Sequence, residues 1–242
     1  MDLKGRRALV TGAGIRIGRA IAHGLARQGA NVAVHYHTSG TGARQTAVEI
    51  ETMGRTTALL EADLRDAGAA EALPARAAAA LGGLDVVVNS AAIMVRRPLA
   101  EVTAADWDRT MDLNLRGTFF VAKGAAAVMA ETGGVIVNIA DLAAFERWTG
   151  YPVHVVSKSG VVALTEVLAR ALAPGIRVNA IAPGAVLLPD DTTAEERAQL
   201  VRTTPLGRLG SPRDVVDAVL YLIAQDSITG QTIVVDGGRR LR

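Results

Sequence analysis

The sequence predicts an α/β fold in which helices flank a parallel, doubly wound sheet within a single domain. Short runs rich in Val and Ile alternate with longer segments rich in Ala and Leu, and strands that alternate with helices pair in parallel. No Pro-, Gly- or Ser-rich linker, internal repeat or low-complexity tract divides the 242 residues, and open α/β sheets of this length form one domain. We therefore predict one domain over residues 1–242.

The individual elements follow from the apolar runs in chain order. A short buried strand at residues 7–10 leads through a glycine-rich turn into a helix at residues 17–28. Six further runs predict strands at residues 31–35, 56–61, 84–89, 134–139, 177–182 and 232–235. Ligands of such sheets bind beyond the carboxyl ends of the strands. Residues 186–205 interrupt the alternation at that edge, and this excursion is either a lid or a plain surface connection.

The turn between the first strand and the first helix is the most informative local signal. Residues 10–18 read Val-Thr-Gly-Ala-Gly-Ile-Arg-Ile-Gly. Glycine lets the backbone approach a phosphate, and the free N–H groups and dipole of a helix N-terminus favour an anion there. This placement predicts the dinucleotide turn of a Rossmann-type fold. The predicted cofactor contacts in the turn are Thr11, Gly12, Gly14, Arg16, Ile17 and Gly18.

The end of the second strand predicts which dinucleotide binds. No Asp or Glu occurs from residue 3 through residue 48. A fold selective for NAD places a carboxylate near this strand end to hold the ribose 2′-OH, and that carboxylate would repel a 2′-phosphate. Arg16, His37, Thr38 and Ser39 suit a phosphate, so the predicted cofactor is NADP(H). The alternatives are that Arg16 is a solvated residue and that residues 37–39 are an ordinary polar loop.

Composition excludes several other classes of protein. Lys and Arg number 26 against 24 Asp and Glu, a formal charge of +2, and no basic cluster of a nucleic-acid-binding protein is present. Cysteine is absent, which excludes a disulfide framework, a thiolate nucleophile and a zinc-thiolate site, and no metal site is expected. No apolar run approaches membrane-spanning length, and no signal-peptide h-region precedes the first strand. We expect a cytoplasmic protein that binds a small molecule and neither nucleic acid nor a membrane.

Motifs along the whole chain resemble those of the classical short-chain dehydrogenase/reductase family. In chain order these are the phosphate turn, Asp63-Leu64, Asn89-Ser90-Ala91-Ala92, Asn114, Lys158, the segment that ends in Pro183-Gly184, and Asp236-Gly237-Gly238. The resemblance implies that Asp63-Leu64 contacts adenine and that Asn114 is the active-site asparagine. It implies further cofactor contacts from Asp63, Leu64, Asn89, Ser90, Ala91, Lys158, Pro183 and Gly184.

The catalytic pattern of the family is altered at two positions. Family members carry a Tyr four residues before the Lys and a Ser thirteen residues before the Tyr. The Tyr gives a proton to the substrate oxygen, the Lys lowers the pKa of the Tyr and holds the nicotinamide ribose, and the Ser orients the substrate. This chain has His154 at the Tyr position and Asp141 at the Ser position. The implied catalytic residues are Asn114, Asp141, His154 and Lys158.

Other departures from the general pattern resemble the pteridine reductases within this family. That subgroup also carries Asp at the Ser position, Arg in the phosphate turn and a His-Tyr-His-Arg-Ser stretch similar to residues 35–39. The pair Asp190-Asp191 and Tyr151, a second tyrosine, add to the likeness. Pteridine reductases hold the pterin between the nicotinamide and a Phe, whose position corresponds to Met94. Met packs on a flat ring but has no π face. The resemblance implies substrate contacts from Met94 and Tyr151.

His154 is the leading candidate for the proton donor, and Asp141 or Tyr151 is the next candidate if that role is wrong. A spacing of four residues places His154 and Lys158 on one helix face, so the imidazole occupies roughly the place of the phenol, and histidine transfers protons near neutral pH. Tyr151 ranks below His154, because two helical turns separate it from Lys158 by about 10 Å. Alternatively, the site has decayed and His154 fills space.

The leading hypothesis is an NADPH-dependent, pteridine-reductase-like enzyme that transfers hydride to a C=O or C=N bond. The alternatives are a carbonyl or 3-oxoacyl reductase with an unusual His acid, and a catalytically silent NADP(H)-binding protein. The family resemblance also implies a homotetramer or homodimer. Two long helices around residues 105–129 and 155–173 would build that interface.

Overall fold

Seven parallel strands form one sheet in a computed structural model that describes residues 1–188 and 192–241. Their order across the sheet is β3-β2-β1-β4-β5-β6-β7. The strands are β1 (Arg7–Val10), β2 (Asn31–Tyr36), β3 (Thr57–Glu61), β4 (Val86–Asn89), β5 (Gly134–Ile139), β6 (Ile176–Pro183) and β7 (Thr232–Val235). The predicted doubly wound, Rossmann-type fold is therefore confirmed.

Helices cover both faces of the sheet. They are α1 (Arg16–Arg27), α2 (Gly40–Thr52), α3 (Ala67–Leu81), α4 (Ala104–Met111), α5 (Thr118–Val128), α6 (Ala143–Glu146), α7 (Pro152–Leu172), α8 (Ala194–Arg202) and α9 (Pro212–Ala224). A π-helical turn at Asp112–Gly117 joins α4 to α5. Helices α1, α2 and α9 pack on one face, and α3, α5 and α7 on the other.

The two cores show why the central strands consist of apolar residues. Val10 and Val34 point into the cluster with α1 and α9, whereas Leu9 and Ala33 point into the cluster with α3 and α5. Successive side chains of a strand face opposite sides of the sheet, so a sheet covered on both faces requires apolar residues throughout. Full burial of each Val or Leu contributes about 1.5–3 kcal/mol to stability.

The sheet changes winding direction between β1 and β4. β1 pairs with β2 on one side and with β4 on the other. In doubly wound sheets the ligand crevice opens beyond the carboxyl ends of the strands at this switch point. The predicted phosphate turn follows β1 and the Asn89 segment follows β4, so both lie at the crevice.

The observed boundaries differ from the predicted ones mainly at β4, which begins two residues late. Asp85, expected to lie in the strand, instead accepts hydrogen bonds from the guanidinium of Arg7 at 2.7 and 3.0 Å and from the Arg7 backbone N–H at 2.9 Å. The excursion after β6 contains the short, exposed helix α8, which a capping box of Thr193 and Glu196 begins. The pair Asp190-Asp191 lies outside the described residues.

No helix within the described part of the chain is both long enough and apolar enough to cross a membrane.

Candidate active site

The phosphate turn is held in a form that requires its glycines. Gly12 has a φ of +66°, and a Cβ there would lie 2.9 Å from Cα of Ala91. A Cβ on Gly18 would overlap the carbonyl oxygen of Gly12. The backbone N–H of Gly12 donates to Nδ1 of His35 at 3.1 Å, and this bond fixes the turn to β2. The turn is therefore preorganised for close backbone approach to a ligand.

The N-terminus of α1 is open to an anion. Its N-cap residue, Ile15, provides no side-chain cap, and its first turn contains no acidic residue. By contrast, Asp66, Thr103, Thr193 and Ser211 each cap their own helix with a side-chain oxygen. The free N–H groups of α1 and the close-packed glycines therefore fit a dinucleotide pyrophosphate.

Arg16 begins α1 in the left-handed region, with a φ of +51°. This conformation costs a side-chain-bearing residue on the order of 1 kcal/mol or more. The guanidinium reaches across the crevice and donates from Nη2 to the carbonyl oxygen of Leu187, in the excursion after β6. The structure thus places Arg16 beside the phosphate turn, with its charge directed towards this excursion.

Three of the four predicted 2′-phosphate residues follow the end of β2, whereas the fourth, Arg16, binds the carbonyl of Leu187 instead. His37 and Thr38 are exposed, and Ser39 precedes α2, whose first turn contains no acidic residue. A further cation, absent from the sequence prediction, lies here: Nη1 of Arg44 is 3.5 Å from the position of a Cβ on Gly40. This end of the crevice is therefore polar and contains cations.

A carboxylate lies next to this surface, at the end of β3. Oδ2 of Asp63 is 3.9 Å from Nε2 of His37. Arg65 binds the same carboxylate through Nε and Nη2 at 2.7 to 3.0 Å, and this bond lowers the pKa of Asp63 to about 2. The negative charge of Asp63 is thus offset locally. The adjacent Leu64 side chain is buried in the core, so a cofactor contact from this residue would have to come from its backbone.

The strand ends at the switch point are joined by side chains. Thr11 Oγ1 accepts hydrogen bonds from the N–H groups of Ser90 and Ala91 at 2.9 and 3.0 Å. Asn89 donates from Nδ2 to Oδ1 of Asn138 at 2.9 Å, while its own Oδ1 is buried without a hydrogen-bond partner among the described residues. The hydroxyl of Thr11 therefore fixes the geometry of the crevice.

Asn114 lies in the π-helical turn, fully buried. Its Oδ1 accepts from the N–H of Ile93 at 2.9 Å, and its Nδ2 donates to the carbonyl of Ile93 at 2.9 Å and to Oγ of Ser157 at 3.1 Å. Single π-helical turns inside α-helices are frequent at functional sites. Here the turn aims the amide at the loop after β4 and at α7.

His154 faces the same loop from the first turns of α7. Its Nδ1 lies 3.1 Å from the carbonyl oxygen of Ile93. Nδ2 of Asn114 lies 3.5 Å from this nitrogen, but both amide protons are already donated to other acceptors. Because a carbonyl oxygen only accepts, Nδ1 carries the ring proton. Nε2 is then directed towards Asp141, with Oδ2 at 3.5 Å.

Lys158 is one turn further along α7 and is buried. Its ammonium donates to the carbonyl oxygen of Ile139 at 2.6 Å, at the end of β5. Burial lowers the pKa of Lys158 to about 8, and the charge of Asp141 opposes this shift. Oδ1 of Asp141 accepts from the N–H of Ala143 at 2.8 Å. The structure therefore brings the four predicted catalytic residues into one cluster, at the ends of β4 and β5.

The remaining predicted contacts lie around this cluster. Met94 is 43% exposed and belongs to the loop after β4. Tyr151 is the residue before α7, and its ring packs edge-on against Trp148, 6.2 Å away. Pro183 ends β6, and the N–H of Gly184 donates to the carbonyl of Val235 at 2.9 Å. Since α7 begins at Pro152, Tyr151 lies about two turns from Lys158, as the sequence predicts.

Sequence reasoning missed the contributions of His35 and Ile93. His35 accepts from Gly12 and contacts the carbonyl of Ala62 at 3.1 Å, so it joins three strand ends. Ile93 acts only through its backbone, which no side-chain motif reveals. The sequence signal for His35 was its position inside the predicted strand at residues 31–35, where a sheet covered on both faces buries the side chains.

Comparison with known proteins agrees with this geometry. The model of a family described as enoyl-(acyl carrier protein) reductase matches residues 12–240. The chain is 36% identical to 3beta-hydroxysteroid dehydrogenase 1 of Eggerthella lenta, over 99% of this chain and 95% of that protein. It is also 36% identical to the 3-oxoacyl-[acyl-carrier-protein] reductase FabG of Staphylococcus aureus, over 96% and 97%.

A solved structure extends the comparison to a cofactor complex. FolM alternative dihydrofolate reductase 1 from Brucella canis, complexed with NADP, superimposes with a TM-score of 0.93 and 31% identity. The match covers 100% of this chain and 96% of that one. Sequence, fold and relatives agree, and the chain belongs to the classical short-chain dehydrogenase/reductase family of oxidoreductases.

Proposed function

We propose that this protein is an NADPH-dependent reductase that transfers hydride to a C=O or C=N bond of a small molecule. The observation that carries the proposal is the convergence of Asn114, Asp141, His154 and Lys158 beside an open phosphate turn. The phosphate turn that would bind the cofactor and the cluster that can exchange a proton therefore lie in one crevice. This combination is what reduction by hydride and proton requires.

The choice of NADP(H) rests on the end of β2. A 2′-phosphate there would meet Thr38, Ser39 and the uncapped first turn of α2, and Arg44 would supply a cation nearby. The carboxylate of Asp63 lies 3.9 Å from His37, and Arg65 offsets its charge. The relationship to a FolM protein complexed with NADP supports the same choice.

The chain's own residues supply positioning and a proton, whereas the bound cofactor would supply the hydride. The glycines of the turn and the N-terminus of α1 would hold the pyrophosphate. The ammonium of Lys158 uses one of its three donors on Ile139, which leaves donors for the nicotinamide ribose. Asn114 fixes the loop after β4 against α7, so the imidazole of His154 is kept in place.

For the substrate we propose a pterin-like heterocycle, because Asp141, Arg16 and residues 35–39 together resemble the pteridine reductases. The similarity to a FolM alternative dihydrofolate reductase supports this class. A second candidate is a ketone, as in a carbonyl or 3-oxoacyl reductase. The observation that favours it is the exposed Met94, where a stacking ring would be expected.

The exposed apolar side chains of two helical segments support a homotetramer or homodimer. Trp107 and Phe119 of the α4–α5 segment are 43% and 41% exposed, and Val156 and Val167 of α7 are 45% and 64% exposed. Apolar surface of this kind is commonly covered by another subunit. Size-exclusion chromatography with light scattering tests this expectation.

Cofactor binding and turnover test the function separately. Titration with NADPH and NADH measures the two affinities, and oxidation of NADPH is then followed with dihydropterins and with β-keto esters. We expect tighter NADPH binding and turnover of at least one class. NADH binding as tight as NADPH would refute the cofactor choice. NADPH binding without any turnover, together with activity of His154→Tyr on the same compounds, would identify a silent binder.

A further inference from the structure

The ring of His154 is oriented so that its second nitrogen, Nε2, faces a carboxylate and is closed to solvent. Nδ1 is committed to the carbonyl of Ile93 at 3.1 Å. The residue is 3% exposed, and Nε2 is buried without a hydrogen-bond partner among the described residues. A buried ring nitrogen without a hydrogen-bond partner destabilises the fold, so a nearby group that can share a proton with it is favoured.

Asp141 is the group that this nitrogen faces. Oδ2 lies 3.5 Å from Nε2, and the other oxygen already accepts from the N–H of Ala143. With neutral imidazole and ionised carboxylate, two acceptors would oppose each other across this gap. One proton between them satisfies both atoms. Nε2 and Oδ2 can therefore share one proton, and a small movement of either side chain would bring the two atoms from 3.5 Å to hydrogen-bond distance.

The two members of the pair differ in their access to the crevice. The side chain of Asp141 is 22% exposed, against 3% for His154. The buried imidazole would have to give up Ile93 and rotate to meet a substrate, whereas the side chain of Asp141 is already partly exposed. A proton that leaves the pair for a molecule in the crevice would therefore leave from the carboxyl group.

We propose that Asp141 is the residue that delivers the proton to the substrate, and that His154 is a positioning residue that holds this proton in reserve behind it. This inference rests on the proposed reductase function. The substrate carbon receives hydride, with its electron pair, from reduced nicotinamide. The substrate oxygen or nitrogen receives the proton from Oδ2, which leaves a carboxylate beside neutral imidazole. A proton from water then restores the pair.

Four groups of the described residues face the pair from the elements packed around it. Lys158 of α7 acts on Asp141 through its ammonium, and the attraction between the two charges raises the pKa of the lysine against the effect of burial. The loop after β4 contributes the neutral carbonyl of Ile93, and the π-helical turn contributes the neutral amide of Asn114. Tyr151 precedes α7 and packs on Trp148.

The first test needs neither cofactor nor substrate. The chain has only four histidines, so side-chain ¹⁵N–¹H spectra of the apo protein can be assigned by single substitutions. At neutral pH we expect Nδ1 of His154 to carry the ring proton. Asp141→Asn should shift the Nε2 signal, whereas Asp66→Asn, the control at a distant helix cap, should leave it unchanged. A His154 spectrum insensitive to Asp141→Asn would overturn the pair.

The second test distinguishes the residue that gives its proton to the substrate from the residue that only shares that proton. At saturating NADPH, Asp141→Asn should lower kcat by about 10²–10⁴-fold, the usual effect of losing a general acid. His154→Gln should keep a larger share of kcat and move its pH profile, which a merely structural role would not do. The reverse order, with His154→Gln nearly inactive and Asp141→Asn nearly unaffected, would show that the imidazole donates directly. Absence of turnover by the wild type would count against the proposed function, while the NMR result would still decide whether the pair exists.

Discussion

Protonation of His35 is expected to weaken both the fold and the cofactor site. His35 is 2% exposed, and burial lowers its pKa from 6.5 to about 4. Its Nδ1 accepts from the N–H of Gly12, and Nε2 contacts the carbonyl of Ala62, so the neutral tautomer with the proton on Nε2 fits both partners. Imidazolium has no acceptor for Gly12. Charging His35 therefore breaks the bond that fixes the phosphate turn.

The direction and size of the change in folding stability follow from the linkage between proton binding and folding. The folded pKa lies below the unfolded one, so the unfolded chain binds the additional proton between pH 6.5 and 4 and stability falls as the pH falls through that window. At 1.36 kcal/mol per pKa unit the loss approaches about 3 kcal/mol. Burial also lowers the pKa of His23. Because His23 is present in every protein compared, its contribution to the pH dependence of stability cancels.

The assay is urea unfolding at several pH values for the wild type, His35→Gln and the exposed control His37→Gln. Wild type and His37→Gln should lose about 3 kcal/mol more than His35→Gln between pH 6.5 and 4. The affinity of the wild type for NADP⁺ should fall in the same window. Equal losses in all three proteins would show that His35 is not held neutral, and the role given to it in the phosphate turn would be wrong.

Four further predictions concern the crevice itself. Arg16→Gly combined with Thr38→Asp should shift preference from NADPH to NADH by roughly tenfold or more, because a lost charge-assisted contact costs about 1.5–3 kcal/mol; unchanged ratios of dissociation constants would contradict this. Met94→Phe should tighten pterin binding by about 0.5–1.5 kcal/mol if the pterin stacks there, and calorimetry showing no pterin binding to either protein would favour the ketone reductase. The stability of the wild type should rise relative to Lys158→Met between pH 8 and 10.5, since the folded pKa of this lysine lies below the unfolded one; parallel denaturation curves would argue against a buried charge. His154→Tyr should retain or raise NADPH-dependent activity because it restores the phenol of the family beside the lysine, and complete loss with the fold intact would indicate that the site is built around imidazole.

The fold could be predicted because each part of it leaves a local pattern in the sequence. Strands buried on both faces must be apolar throughout, so β1 and β5 have the predicted boundaries. The edge strand β7 is only half-buried but is apolar as well, and its boundaries also match. β4 begins late because the buried charge network of Asp85 with Arg7 is a tertiary interaction. The excursion after β6 is less regular because α8 buries no side chain, and no apolar periodicity then marks it. Local patterning therefore predicts the buried elements best.

Site residues that act through side chains at motif positions could be located from the sequence, whereas their proton states could not. Spacing alone places His154 and Lys158 on one face of α7, and both are found there, buried. The orientation of the imidazole depends on the carbonyl of Ile93, which lies 61 positions away in sequence and whose identity as Ile is immaterial. Because every residue type has a backbone carbonyl, the sequence does not show which carbonyl accepts from the ring. The tautomer of His154 therefore could not be inferred from the sequence.

The replacement of Tyr by His therefore has a different meaning in the structure than in the sequence. In the sequence the imidazole is a substitute acid for the phenol at the same position. In the structure the carbonyl of Ile93 occupies one ring nitrogen, and the other faces the residue that replaces the family's Ser. The two departures are thus physically coupled, because a proton shared between His154 and Asp141 requires both. We therefore expect them to behave non-additively. Once His154→Tyr supplies a phenol beside Lys158, Asp141→Asn should cost much less kcat than it does in the wild type, and equal losses in the two backgrounds would show that the substitutions act independently.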